Sequence, residues 1–398
     1  MPSPPTVKKD EAHPAEVQVT WPDIVAMVDQ HPVFLAGKFH IQAAHANVSA
    51  AGAVPNPTLE GTLGQGRAKT GGASRVEWGL SLTLPLGWIA ERGPRIDEAE
   101  AEVAVAVAES KALRTEVMLR LRMLFWTLAS EQAKVSSLEA LEAQTAALIH
   151  SIRRRVETGE ARPVEAIRVE IELEKIRAEL TATRTTLSVR QAELGLWLSV
   201  PSGKTLVVAA DFETLPVAMD RQTAQEKARA SYPSLTVALA RARFLETELK
   251  SERRVRVPQF GLTGFATNEL DRRAYGVGLA IDLPIWNWNG GQIAKATAKL
   301  AAGRKQADAT RLDVEAMVLD LQGACQASVL TATRFKNHVL PLSRTATAMV
   351  EKTYQQGEIS LLEVLDAQRT LLDAHRNYLN ALTHAQIDCN RLGAMVGE

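Results

Sequence analysis

The sequence predicts a mainly α-helical chain with some β structure, a tandem repeat in which each copy carries a β-hairpin followed by a long helical hairpin. Three observations predict it. Landmark residues recur at a near-constant offset, two pairs of segments alternate apolar and polar residues, and Gly and Pro are absent from the 64 residues between Pro94 and Gly159.

The repeat comes first. His31-Pro32 aligns with Tyr232-Pro233, Pro57 with Pro258, and Leu84-Pro85-Leu86 with Leu283-Pro284-Ile285. Gly159 aligns with Gly357 and Leu194-Gly195 with Leu392-Gly393, so the offset drifts only from 201 to 198 residues. This divides the chain into a Pro-rich tail over 1–19 expected to be disordered, a first repeat over 20–200, a linker over 201–220 and a second repeat over 221–398.

Each copy opens with two helices, Pro22 to Gln30 and about Val33 to Ala51 in the first, Arg221 to Ser231 and about Ser234 to Val255 in the second. Strand-like runs follow. Val76, Trp78, Leu80, Leu82 and Leu84 alternate with Glu77, Gly79, Ser81 and Thr83, and Tyr275, Val277, Leu279, Ile281 and Leu283 alternate with small residues and Asp282. Period two with one apolar face is a half-buried strand. With the weaker partners Thr58 to Gln65 and Phe260 to Thr267, the hairpins span about 58–84 and 259–283. Each run is close to the roughly 9–11 residues a tilted strand needs to cross a bilayer. Four strands cannot close a barrel, and an open edge is not tolerated in lipid, so a membrane sheet of this kind requires several protomers. The alternative is an antiparallel sheet packed on helices in a soluble protein.

The helical hairpins cover about 91–199 and 291–396. As one helix, the run free of Gly and Pro would reach about 96 Å. Leu113, Val117, Leu121, Leu124, Leu128, Val135, Leu138, Leu141, Leu148 and Ile152 step by threes, fours and sevens, a coiled-coil seam. Pro163 suits the first turn of the return helix. The second descent carries Gly303, Gly323 and Pro341, and a kink is expected near Pro341.

Composition narrows the function classes. Lys+Arg and Asp+Glu are both 46, so no basic footprint for nucleic acid exists. No nucleophile motif or phosphate loop is present, and neither an enzyme nor a cofactor is expected. The eight histidines form no HxxxH or HExxH pattern, and Cys325 and Cys389 lack CxxC spacing, so no metal site is expected. The two cysteines read as small buried apolar residues, and nothing in their spacing argues a disulfide.

Two stretches carry a family resemblance: Asp282-Leu283-Pro284-Ile285-Trp286-Asn287-Trp288-Asn289-Gly290-Gly291 at the strand-to-helix junction, and Tyr354 to Gln368 (YQQGEISLLEVLDAQ) at the second helical tip. With the tandem hairpins, they resemble the TolC-type outer membrane efflux proteins over about residues 20 to 396, in the branch associated with cobalt-zinc-cadmium and other cation efflux. The resemblance implies a homotrimer whose protomers share a twelve-stranded barrel in outer membrane lipid and an α-helical tunnel through the periplasm. It also implies a periplasmic adaptor and an inner-membrane (RND-type) pump as partners, and a passive conduit for metal cations or small toxic compounds. The competing reading of the residues is a soluble coiled-coil scaffold.

The tips supply the candidate site. Glu363 and Asp366 lie three apart at a helix start and share a face; in a trimer they would form a carboxylate ring that attracts cations. They match the family's acidic ring at the periplasmic entrance. Ser360 and Glu363 also form a capping box, an alternative use of Glu363. The resemblance assigns Tyr354 and Glu165 to a link that holds the tip closed, although Ile359 stands where a basic residue is common. The alternative for Tyr354 is packing in the helical seam. Gly159 and Gly357 suit a chain reversal with positive φ, and with Ser360 and Leu361 they are candidates for adaptor contact.

Met1 to Glu16 has lysines but no apolar core, so no export signal is visible, and no run of about 18 apolar residues exists. The expectation is that the chain begins downstream of the true start.

Overall fold

The computed structural model describes residues 16–67, 71, 73–201, 204–270 and 272–396. In chain order these form β1 (Glu16–Val19), α1 (Trp21–Val28), α2 (Pro32–Ala51), β2 (Thr58–Gly66), β3 (Arg75–Pro85), α3 (Trp88–Glu157), α4 (Pro163–Trp197) and β4 (Thr205–Val208) in the first part. The second part gives α5 (Arg221–Ser231), α6 (Pro233–Arg254), β5 (Gln259–Asn268), β6 (Arg273–Asp282), α7 (Gly290–Arg334), a π-helical turn (Phe335–Val339), α8 (Leu340–Gln355) and α9 (Leu361–Met395). The residues group into two compact units. One joins those up to Leu35 with Leu113–Tyr232 and Val314–Glu398; the other joins Ala36–Ala112 with Pro233–Asp313. Each unit therefore takes material from both repeats.

In the second unit the hairpins merge into one antiparallel sheet of order β2-β3-β5-β6. The repeats meet at β3 and β5, where Leu84 faces Leu262 and Trp78 faces Asn268. The alternation seen in the sequence survives as two unlike faces. Leu59, Leu63, Val76, Trp78, Leu80, Leu82, Leu84, Leu262, Val277 and Leu279 are all exposed, and the register puts them on one side. The other side carries threonines, small residues and the charged Glu60, Arg75, Glu77 and Asp282, with Phe265 as a large apolar exception, and Thr83 and Thr263 are joined there through their hydroxyls at 2.9 Å. The outer edges of β2 and β6 have no partner strand among the described residues.

In the first unit the long helices pack side by side. Val117, Leu121, Leu124, Leu128, Leu138 and Ile152 of the expected seam are buried. Around Phe125 the core thickens with aromatics: Trp21 meets Phe125 edge-on at 6.0 Å and Trp126 lies 5.3 Å from it.

Four expectations change. The tail expected over 1–19 is in part structured: Glu16–Val19 pairs in parallel with β4 inside the supposed linker, and Val19 is buried. Residues 1–15 lie outside the described residues. The first long helix starts at Trp88 rather than near 91 and contains Pro94; at its seventh position Pro94 lies in the second turn. The interruption expected near Pro341 takes the form of the π turn just before it, closed by the Leu340 N–H to the Phe335 carbonyl. Such turns accommodate a local break in the i→i−4 ladder.

The fourth change concerns the cysteines. Cys325 is fully buried as expected, but it is bonded to Cys389, joining α7 to α9 across 64 residues with Cα atoms 4.8 Å apart. Chain-entropy reasoning puts the restriction of the unfolded state at about 4 kcal/mol.

Candidate functional site

The two helical hairpins reverse by the same local chemistry. Gly159 and Gly357 have φ of 78° and 80°, a region that penalises any side chain with a Cβ. After each glycine the next N–H reaches back five residues, Glu160 to the Arg155 carbonyl and Glu358 to the Thr353 carbonyl, which caps the descending helix in a Schellman arrangement. Pro163 then starts α4, and Ser360 is the N-cap of α9.

Behind the reversals the two tips share one apolar cluster. Ile149, Ile152, Val169 and Leu173 of the first hairpin pack with Leu361, Val364 and Leu365 of the second. This overturns Leu361 as an exposed contact residue: it is 4 % exposed and belongs to the core, because the first position of α9 points inward. Leu362, the next residue, is exposed instead. Gly159, Gly357 and Ser360 are exposed.

Glu363 acts as the helix cap. The Ser360 N–H and hydroxyl both donate to its Oε1, at 3.4 and 3.2 Å. Glu363 and Asp366 nevertheless lie on the same exposed face of α9. They line a groove of about 590 Å³ together with Leu362, Arg369 and Thr370. Capping consumes one oxygen's lone pairs and leaves the charge of Glu363 in place.

Tyr354 and Glu165 are brought near one another without a hydrogen bond. The Tyr354 hydroxyl is buried and has no hydrogen-bond partner among the described residues. Burial pushes its pKa up; the Arg155 charge opposes the rise and the Glu165 charge adds to it. Arg155 stacks on the Tyr354 ring, its guanidinium carbon 5.3 Å from the centroid, a cation–π contact. The ring itself packs against the shared apolar cluster.

Sequence reasoning missed the ties between the returning helices. Arg369 on α9 donates to both carboxylate oxygens of Glu172 on α4, at 3.0 and 2.5 Å. One heptad further, Arg376 bonds Glu179. The Arg369 hydrogen bond is the main cause that holds the Glu172 carboxyl below its ordinary value of 4.5, against the opposing effect of burial. The heptad spacing of 172 with 179 and of 369 with 376 was visible in the chain, but not that the two sets face one another.

Among the described residues no helix is long and apolar enough to cross a membrane, and no group of three or more His, Cys, Asp or Glu could hold a metal ion. The tip presents the charge of Glu363 and Asp366 and the apolar side chain of Leu362 on one exposed face.

The chain matches the outer membrane efflux protein family twice, over residues 24–198 and 224–398. It is 27% identical over 334 residues to the cobalt-zinc-cadmium resistance protein CzcC of Cupriavidus metallidurans, covering 83% of this chain and 78% of that one. It is 24% identical over 293 residues to the nickel-cobalt-cadmium resistance protein NccC of Alcaligenes xylosoxydans xylosoxydans, covering 72% and 65%. The fold superposes on the outer membrane protein VceC of Vibrio cholerae with a TM-score of 0.75 at 17% identity, covering 95% and 96% of the two chains. Two successive matches to one family model, each filling one repeat, establish that the chain belongs to the outer membrane efflux protein family.

Proposed function

We propose that three copies of this chain form the outer membrane duct of a tripartite efflux system, a passive conduit that carries metal cations out of the periplasm. The observation that carries the reading is the sheet. It has one exposed apolar face, a more polar opposite face and two edges that are unpaired among the described residues. In lipid such edges must be paired, and three four-stranded sheets joined edge to edge give a twelve-stranded barrel. Trp286, 93 % exposed, and Trp288 follow directly after β6, where an aromatic girdle would meet the membrane interface.

The helical tips form the periplasmic end. Glu363 and Asp366 of each protomer ring the entrance and favour cations, while Arg155, Tyr354 and Glu165 belong to the closed tip. Gly159, Gly357 and Ser360, with exposed Leu362, contact a periplasmic adaptor. An inner-membrane pump of the RND type supplies the energy. The metal-resistance names of CzcC and NccC support cations as the cargo; small toxic compounds are the alternative cargo of the same duct.

The test is direct. Protein extracted from outer membranes should run as a trimer in mild detergent and give channel conductance in planar bilayers. A monomer, or no conductance from a folded trimer, overturns the reading. Full recovery in the soluble fraction would instead favour a coiled-coil scaffold.

A further inference from the structure

The end of the sheet where strands give way to helices differs in charge and polarity from the helices it joins. Four segments connect the two there, 52–57, 86–95, 252–258 and 283–291. Together they carry five arginines, Arg92, Arg95, Arg253, Arg254 and Arg256, against two acids, Glu91 and Glu252. All five arginines are exposed. Among the described residues none of them has a carboxylate partner. Arg92 donates to the Gly52 carbonyl at 2.9 Å and Arg256 to the Trp288 carbonyl at 3.0 Å. The two acids are occupied by neutral amides, Glu91 by Gln259 at 2.8 Å and Glu252 by Asn289 at 2.7 Å. Farther along the helices of the same unit cations are ion-paired, Arg241 with Glu109 and Lys299 with Glu248. The rim thus keeps positive charge that its own acids do not neutralise.

The same rim exposes large apolar side chains. Ile89, Trp286 and Trp288 are each more than half exposed, and they follow closely after β3 and β6, the strands that bear much of the apolar face. A cationic rim beside exposed indoles is the composition of a membrane interface. The rings sit at headgroup depth, and a guanidinium can meet phosphate oxygens with two parallel N–H groups. The bond from Arg256 to the Trp288 backbone holds charge and ring together, so whatever covers one borders the other. Because the apolar face of the sheet ends at this rim, the anion that adjoins it in a bilayer is a lipid phosphodiester.

We propose that these five arginines form a collar that binds the headgroups of anionic phospholipids in the periplasmic leaflet, with Arg253, Arg254 and Arg256 at its centre. Clustered basic residues next to a membrane-embedded element attract anionic lipid, and the attraction falls off within a Debye length of the surface. The inference rests on the proposed duct reading, since it requires the sheet to lie in a bilayer with its helical end toward the periplasm.

The experiment reads lipid contact with protein purified from outer membranes and reconstituted into phosphatidylcholine vesicles. Spin-labelled phosphatidylglycerol or phosphatidylcholine is added in trace, and electron spin resonance gives the fraction of each immobilised at the protein. Wild-type protein should hold phosphatidylglycerol several-fold over phosphatidylcholine. The preference should fade as salt rises toward about 1 M, where the Debye length is about 3 Å. R253Q/R254Q/R256Q should bring the ratio close to one. R154Q/R162Q/R168Q, which removes the same charge from exposed positions at the helical tip, should keep it. Equal immobilisation of both lipids by wild type, or an equal loss in the tip variant, overturns the proposal. So does a preference abolished by inorganic phosphate but not by chloride at equal ionic strength, which would mark a site for a soluble anion. A rim variant that keeps the lipid preference but no longer holds a trimer also overturns it, and assigns the arginines to a neighbouring copy. If the rim variant fails to accumulate, R92Q/R95Q takes its place and should lower the ratio; an unchanged ratio overturns the proposal. Immobilised lipid without preference sinks the collar and leaves the duct reading intact, whereas a protein that immobilises neither lipid sinks the duct reading.

Discussion

Arg369 and Glu172, 197 residues apart, meet through two parallel hydrogen bonds that tie the returning helix of one repeat to that of the other. The Glu172 side chain is only 16 % exposed, so the pair is shielded from solvent on one side and its geometry is bidentate, the stronger form of such contacts. The tie does not join equivalent positions. The repeat counterpart of Glu172 is Thr370, and that of Arg369 is Ile171. The acids sit on the first copy and the bases on the second.

Glu172→Gln and Arg369→Ala should each loosen the tips, read as a higher open probability of the reconstituted channel. A double-mutant cycle on thermal stability should give a coupling of about 1 kcal/mol, at the upper end for partly exposed pairs. The pH dependence has a definite sign. The folded-state pKa of Glu172 is depressed, so its stabilisation is complete above the ordinary glutamate range and is lost as pH falls through the lowered value. Tips that loosen with rising pH between 5 and 8 in step with this pair would contradict that assignment.

Glu363→Gln with Asp366→Asn should weaken block of the channel by multivalent cations. Gln retains an acceptor for the Ser360 hydroxyl, so the cap survives while the charge is removed. A loss of about 1.4 kcal/mol in cation binding would read as a tenfold weaker block. Unchanged block in bilayer recordings would remove both residues from the entrance.

Tyr354→Phe should leave gating and stability nearly unchanged, because the hydroxyl it removes is buried without a hydrogen-bond partner among the described residues. Tyr354→Ala deletes the ring from the tip cluster and the surface on which Arg155 stacks, and should cost about 3 kcal/mol. Thermal melts of both variants separate the ring's packing from any role of the hydroxyl. A large effect of Phe would restore the hydroxyl as the link to Glu165.

Leu279→Arg places a charge in the middle of the exposed apolar face and should cost about 2–4 kcal/mol if that face meets lipid. Folding titrations in lipid vesicles provide the measurement. Tolerance of the arginine would mean that the face is covered by something other than hydrocarbon.

The parts of the fold that depend on local pattern were legible in the sequence. Period-two alternation located all four strands of the sheet, and the Gly-to-Gly interval located both helical tips. What escaped depends on distant partners. β1 is four residues beside a polar tail, and only its pairing with β4 makes it a strand. The cysteines are 64 residues apart in two helices, and nothing local marks them as adjacent. The inward position of Leu361 follows from how the two tips pack, which the capping signal at Ser360 cannot report. Asp366 was visible as an acid on an exposed face, but the arginine beside it and that arginine's partner Glu172 were not.

The open edges of β2 and β6 carry a thermodynamic consequence. In the proposed trimer the stability of the sheet is tied to protomer concentration, because closing the barrel takes other copies of the chain. Its melting point should rise with protomer density in the bilayer. At low density the exposed edges would present a template for wrong pairings. In that assembly expression level, together with sequence, would set how much of the barrel closes.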